Sequence, residues 1–207
     1  MSLVQAFIYK DYILVCGEQR ANLDSGIVLE NFVKVRKLNP TTIIGMTGTI
    51  EGNAKLFKDY INPDFTIKGT GQLQTYNEIK HRTIENFYNN YDYFQIKSVH
   101  SVICGWNGQK MTGKAIFTKD TNNPNMAPIT DLTPDFLEQL RWVNCGLNQH
   151  EENLKTLFKE MQTVNVLALK KLFIDVIKMG VEFDETINSN ISFEYIRRSN
   201  VYKKTYK

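Results

Sequence analysis

The 207 residues, 42% hydrophobic and 12% aromatic, suffice for one compact domain with a sizeable core, and a charged fraction of 23% argues against disorder. A net charge of +3 gives no warrant for nucleic-acid binding. No apolar run reaches membrane-spanning length and "MSLVQAFIYKDY" lacks the pattern of a signal peptide, so the expected location is cytoplasmic, with no membrane or nucleic-acid partner.

In chain order, "LVQAFIY" (3–9) and residues 12–18 of "YILVCGEQRAN" read as two strands joined by a tight hairpin at Lys10-Asp11. "FVKVRKL" (32–38) alternates, Asn39-Pro40 punctuates it, and "TTIIGMTG" (41–48) is β-branched and strand-like. Ile50, Leu56, Phe57 and Ile61 then recur at helical spacing, with Thr49 as N-cap and Asn62-Pro63 as the stop. Residues 64–75 read as irregular. A helix is expected over 76–91 and a long strand over 93–106, returning through an Asn107-Gly108 turn along 110–120. "TNNPN" (121–125) is a loop, and "MAPITDL" (126–132) and "RWVNCG" (141–146) are strands. Helices follow around 149–162 and 165–180. "ISFEYIRR" (191–198) is a last strand before a solvated basic tail over 197–207. Hairpin-linked strands in blocks, separated by paired helices, predict an α+β fold, with antiparallel sheet and helices segregated on its faces. A single domain over 1–207 is the expectation.

Several chemistries lack their residues. Cys16, Cys104 and Cys145 are far apart in apolar runs, as reduced buried thiols are. His81, His100 and His150 have no ligand spacing, so no metal is expected. "GMTGTIEG" (45–52) follows a strand and opens a helix, yet lacks the Gly-Lys-Ser/Thr ending of a phosphate loop, and no cofactor is expected. Its helix-start amides can nonetheless stabilise negative charge.

Ser2 lies at the start of the first strand, Glu18 at the end of the second and Lys34 within the third, each sixteen residues after the last, and Gly48 closes the fourth. Antiparallel strands can gather these positions at one sheet edge. A hydroxyl, a carboxylate, an ammonium and a donor-rich helix start are the parts for acyl transfer. The alternative is that Lys34 and Arg36 merely alternate with Val33 and Val35 on a half-solvated strand.

From residue 2 to about 60 the chain resembles a proteasome β-type subunit of the N-terminal-nucleophile (Ntn) hydrolase superfamily. The resemblance runs through the first hairpin, "EQRA" (18–21), "VKVRKLNP" (33–40) and "GMTG" (45–48) without a gap, and more loosely through "VICGWN" (102–107) and "VNCGLN" (143–148). It implies a four-layer αββα sandwich of two antiparallel sheets flanked by helices. It also implies a peptidase or amidase in which the Ser2 hydroxyl is the nucleophile and its own α-amine the base. Lys34 would lower that amine's pKa, Glu18 would hold Lys34, and the Gly48 amide would receive the oxyanion. Arg20 is expected in the same charged cluster. A homo-oligomer, ring-like as in the family, and a peptide or amide substrate are the implied partners.

Four departures bear on the chemistry. Serine replaces the family's threonine, and Glu18 replaces an aspartate. "DETIN" (184–188) offers Asp184 for a supporting acid but Ile187 for a supporting hydroxyl. While Met1 is attached, the nitrogen of Ser2 is an amide and no base. The competing readings are a non-catalytic structural or assembly subunit and an amidase acting on a small molecule. For an active enzyme, Lys34→Ala is expected to cost orders of magnitude in rate at little cost in stability.

Overall fold

The computed structural model describes residues 3–22, 28–118, 127–135, 140–145, 148–161, 163–182 and 187–200. The expected 121–125 loop, Ser2, Asp184 and the end of the basic tail lie outside them.

Two antiparallel sheets stack face to face. The first has the order β10-β1-β2-β11, from β1 (Val4–Tyr9), β2 (Tyr12–Glu18), β10 (Leu140–Cys145) and β11 (Ile191–Arg197). The second has the order β5-β6-β7-β8-β9, from β5 (Val35–Asn39), β6 (Thr42–Gly48), β7 (Val99–Trp106), β8 (Met111–Phe117) and β9 (Ile129–Asp131). A small ribbon pairs β3 (Ala21–Asn22) with β4 (Val28–Leu29).

Strand alternation sorts the side chains into three layers. Val4, Ala6, Ile8, Ile13 and Val15 point inward, meeting Ile43, Val102, Cys104 and Ala115 of the opposite sheet. Phe7, Leu14 and Cys16 point outward onto α5 (Val166–Val181), through Leu169, Phe173 and Val176, and onto α4 (Asn148–Lys159), through Leu154. On the far side Ile44, Met46, Ile103 and Ile116 pack under α1 (Ile50–Leu56), α2 (Tyr76–Asn89) and α3 (Tyr91–Ile96). Both faces of β1 and β2 are therefore buried, which explains why they read as near-continuous apolar runs. The result is the expected αββα order.

The expected hairpin turns form at 10–11 and 107–110, and Thr49 caps α1 by accepting from the Gly52 amide. Three expectations need correction. β5 begins at Val35, so Lys34 sits just before the strand, although its carbonyl still accepts from Met46 N. The predicted strand over 93–106 starts only at Val99. Residues 91–96 instead form α3, because Phe94 is buried with its ring stacked 5.4 Å from that of Phe87.

The helix after Thr49 also stops at Leu56, well before Asn62-Pro63. The chain then reverses in a tight turn, with Phe65 N donating to Asn62 O at 2.8 Å and Asn62 N donating to Thr66 O at 2.8 Å. Pro63 and Asp64 occupy its centre, and Phe65 takes φ 62°. Turns of this kind ordinarily put glycine at that left-handed position. A residue with a Cβ costs about 1–2 kcal/mol there.

The three thiols are fully buried, and burial pushes all of them up, Cys145 to about 12. Iodoacetamide at about pH 8 should therefore add nothing to the native protein, whereas three alkylations per chain should appear in denaturant. Intact mass reads the difference, and native labelling would contradict this packing.

Candidate active site

Glu18 ends β2 in the core, 0% exposed, and Lys34, 2% exposed, arrives from the segment ahead of β5. The Lys34 ammonium donates to Glu18 Oε1 and to the backbone carbonyl of Arg20. Glu18 has two further donors, Leu3 N to Oε1 at 3.2 Å and Arg20 N to Oε2 at 2.6 Å. Taking two charges out of water is costly unless they are paired and hydrogen-bonded; here they are paired, both carboxylate oxygens accept, and the ammonium has two acceptors. Burial pushes Lys34 down to about 7, while the carboxylate beside it pulls the other way.

Among the described residues, Arg20 bonds to Glu18 and Lys34 through its backbone. Its guanidinium turns outward to Glu30, Nε to Oε2 at 3.2 Å and Nη2 to Oε1 at 3.0 Å. Asn188 braces that pair. Its Nδ2 donates to Glu30 O and to Glu30 Oε2, each at 2.8 Å, and its Oδ1 accepts from Gln19 N at 3.3 Å. The hydrogen bond from Asn188, then that from Arg20, lowers the Glu30 carboxyl below its ordinary range. The β2 exit is thus tied at its carboxylate to Lys34 and at its guanidinium to Glu30.

Gly48 ends β6 at φ 92°. A Cβ there would stand 2.4 Å from Ser98 O, so this exit into α1 requires glycine. Lys34 and Gly48 line one cleft of about 40 Å³, together with Ala21, Phe32, Met46 and Phe65. Asn53, another lining residue, is hydrogen-bonded inside the protein: Nδ2 donates to Thr47 O and Thr49 O, and Oδ1 accepts from Ser101 Oγ.

Of the four residues singled out in the sequence, Glu18 and Lys34 are joined directly, and Gly48 lines the same cleft as Lys34. Ser2 lies outside the described residues, as do Asp184 and the Gly146-Leu147 part of "VNCGLN". Ile187 is buried in the apolar layer under α5, where it offers no hydroxyl. The sequence reading missed Glu30, Asn188, Phe32 and Phe65. Asn188 closes the "DETIN" stretch and could have been tried as the polar partner that Ile187 cannot be.

Solved structures with this arrangement of sheets and helices exist. HslV from Trypanosoma brucei matches 95% of this chain and 99% of its own at TM-score 0.56 and 12% identity. Anbu from Yersinia bercovieri, an ancestral β-subunit, matches 94% and 82% at TM-score 0.68 and 10% identity. The helical assembly of the Anbu complex from Pseudomonas aeruginosa matches 96% and 82% at 0.67 and 11%. The chain has the fold of HslV and Anbu, that of a proteasome β subunit. The resemblance read in the first sixty residues thus extends, as fold, over nearly the whole chain. No protein-family model matches the sequence, and no curated protein sequence does either. Among the described residues, no group of three or more His, Cys, Asp or Glu forms a metal site, and no helix is long and apolar enough to cross a membrane.

Proposed function

We propose that the chain is a proteasome-type Ntn hydrolase, a peptidase or amidase whose nucleophile is the hydroxyl of Ser2 after removal of Met1. The observation that carries the reading is the buried Lys34 ammonium, shared between Glu18 Oε1 and Arg20 O, beside a carboxylate that also accepts from Leu3 N. Ser2 directly precedes Leu3 in the chain, whose N–H donates to that carboxylate. Lys34 has three protons and two acceptors among the described residues, which leaves one for a nucleophile's oxygen.

The proposed chemistry follows. Ser2 Oγ adds to a substrate carbonyl carbon as its proton passes to the α-amine, whose ordinary pKa near 7.7–8.0 suits a base at neutral pH. Successive N–H groups alternate sides along a strand, and Met46 N donates to Lys34 O, so the Gly48 amide two residues on faces the Lys34 side. That amide is the proposed donor to the oxyanion. The C–N bond then breaks, the amine leaves with the proton from the α-ammonium, and water hydrolyses the ester with the α-amine again as base.

Assembly into a homo-oligomer is part of the proposal, supported by the helical assembly of the Anbu complex with the same fold. The buried Ile187, in place of a supporting hydroxyl, favours the second reading, a structural subunit without activity. The experiment is intact mass of protein purified without added N-terminal residues, followed by an electrophile selective for N-terminal hydroxyl amines. Loss of Met1, one covalent adduct at Ser2 and amide turnover support the hydrolase. Retained Met1, or a trimmed chain that neither labels nor turns over, rejects it.

A further inference from the structure

Phe65 is a poor residue for its own turn. The 62–66 reversal, with Phe65 N on Asn62 O and Asn62 N on Thr66 O, wants glycine at a position held at φ 62°. The rest of the turn is well formed. Thr66 N and Oγ1 both donate to Asp64 Oδ1, at 3.1 and 2.7 Å, and Asn62 Nδ2 donates to Thr66 Oγ1 at 2.8 Å. What the unfavourable backbone delivers is a ring. Phe65 is 5% exposed, sits edge-on to Phe32 with centroids 4.8 Å apart, and forms a wall of the cleft that Lys34 and Gly48 line. Backbone strain kept at the wall of a candidate site is an argument for a role there.

We propose that Phe65 is the specificity-determining residue of this cleft, closing it so that only a small side chain of a peptide substrate enters. The inference builds on the hydrolase reading but concerns the shape of the pocket, not the bond-breaking step. A volume of about 40 Å³ holds about three water-sized groups of 10–15 Å³ each. That admits the side chain of alanine, serine or valine and excludes leucine and phenylalanine. The wall is apolar on the Phe32, Met46 and Phe65 side, and the polar groups of Asn53 and Thr47 are bonded internally, so the entering group need supply no hydrogen bond.

Phe65→Gly is the informative variant, because glycine relieves the φ 62° backbone while the ring disappears; Phe65→Ala loses the ring and keeps the strain. The probes are N-acetyl-Ala-Ala-X amides with X as Ala, Val, Leu or Phe, with binding followed by ligand-observed NMR and turnover by release of ammonia from the terminal amide. In the wild type, Leu and Phe peptides should bind about tenfold or more weaker than Ala and Val peptides. In Phe65→Gly that gap should close or invert.

An unchanged ranking in Phe65→Gly overturns the assignment, and so does the absence of binding by every peptide to both proteins. Peptides that bind in the expected order without turnover leave Phe65 in this role and reject the hydrolase instead. Turnover whose side-chain preference ignores Phe65 does the reverse.

Discussion

Lys34→Ala should lower the unfolding free energy by about 3–5 kcal/mol, because it strands the Glu18 carboxylate in the core without its counter-ion. This replaces the sequence-based expectation of little stability cost, which weighed Lys34 for its chemistry and not for its burial, and the side chain is 2% exposed. A second substitution separates the two roles. Glu18→Gln keeps an acceptor for Leu3 N while removing the charge, so Glu18→Gln/Lys34→Met should recover most of the lost stability. It should not recover turnover, which in both variants should fall by about 10³-fold or more if the ammonium tunes the nucleophile. Urea titrations with matched slopes measure the first quantity and initial rates the second. A Lys34→Ala protein as stable as the wild type would mean that the pair is not held buried as described.

How much of this was legible beforehand depended on the range of the interactions. The hairpin of β1 and β2 and the strand β6 follow from apolar runs, β-branching and turn residues, and the structure has them within a residue or so of their expected ends. Glu18, Lys34 and Gly48 stood out as polar or glycine positions at a regular spacing, but their expected gathering at one sheet edge is corrected: Glu18 ends β2 in one sheet, Lys34 precedes β5 and Gly48 ends β6 in the other, and Glu18 and Lys34 meet between the stacked sheets. α3 was misread because "YFQI" (93–96) is apolar enough for strand or helix, and only the stacking of Phe94 on Phe87 decides between them. The Glu30–Asn188 brace joins residues 158 positions apart, a separation at which no local pattern speaks. Phe65 was hidden for a different reason. Asn62-Pro63 was read as the stop of a helix and residues 64–75 as irregular, and a phenylalanine in a glycine position carries no turn signal.

The contrast between two glycines gives the other large expected effect. Gly48 and Gly108 have nearly the same backbone, φ 92° and 99°. A Cβ on Gly108 meets nothing within 4 Å, so Gly108→Ala should cost only the left-handed strain, about 1–2 kcal/mol. A Cβ on Gly48 meets Ser98 O at 2.4 Å and Ser98 C and Val99 Cα at 3.0 Å, all of them backbone atoms. None can yield without disturbing the β6–β7 pairing or the Thr49 N to Ser98 O bond of 2.8 Å that anchors the start of α1. Gly48→Ala should therefore cost about 1–3 kcal/mol more than Gly108→Ala, the range for forcing extra atoms into a packed site. Displacing the same peptide unit moves the proposed oxyanion donor, and losing one such donor is worth about 10²–10³ in rate. Paired denaturation curves test the first expectation and turnover the second, with Gly108→Ala expected to keep full activity because its turn lies at the β7–β8 hairpin, where no residue lines the Lys34 cleft. Equal stability losses in the two variants would show that the chain relaxes freely around Ser98, leaving no fixed amide at the start of α1 to steady a developing charge.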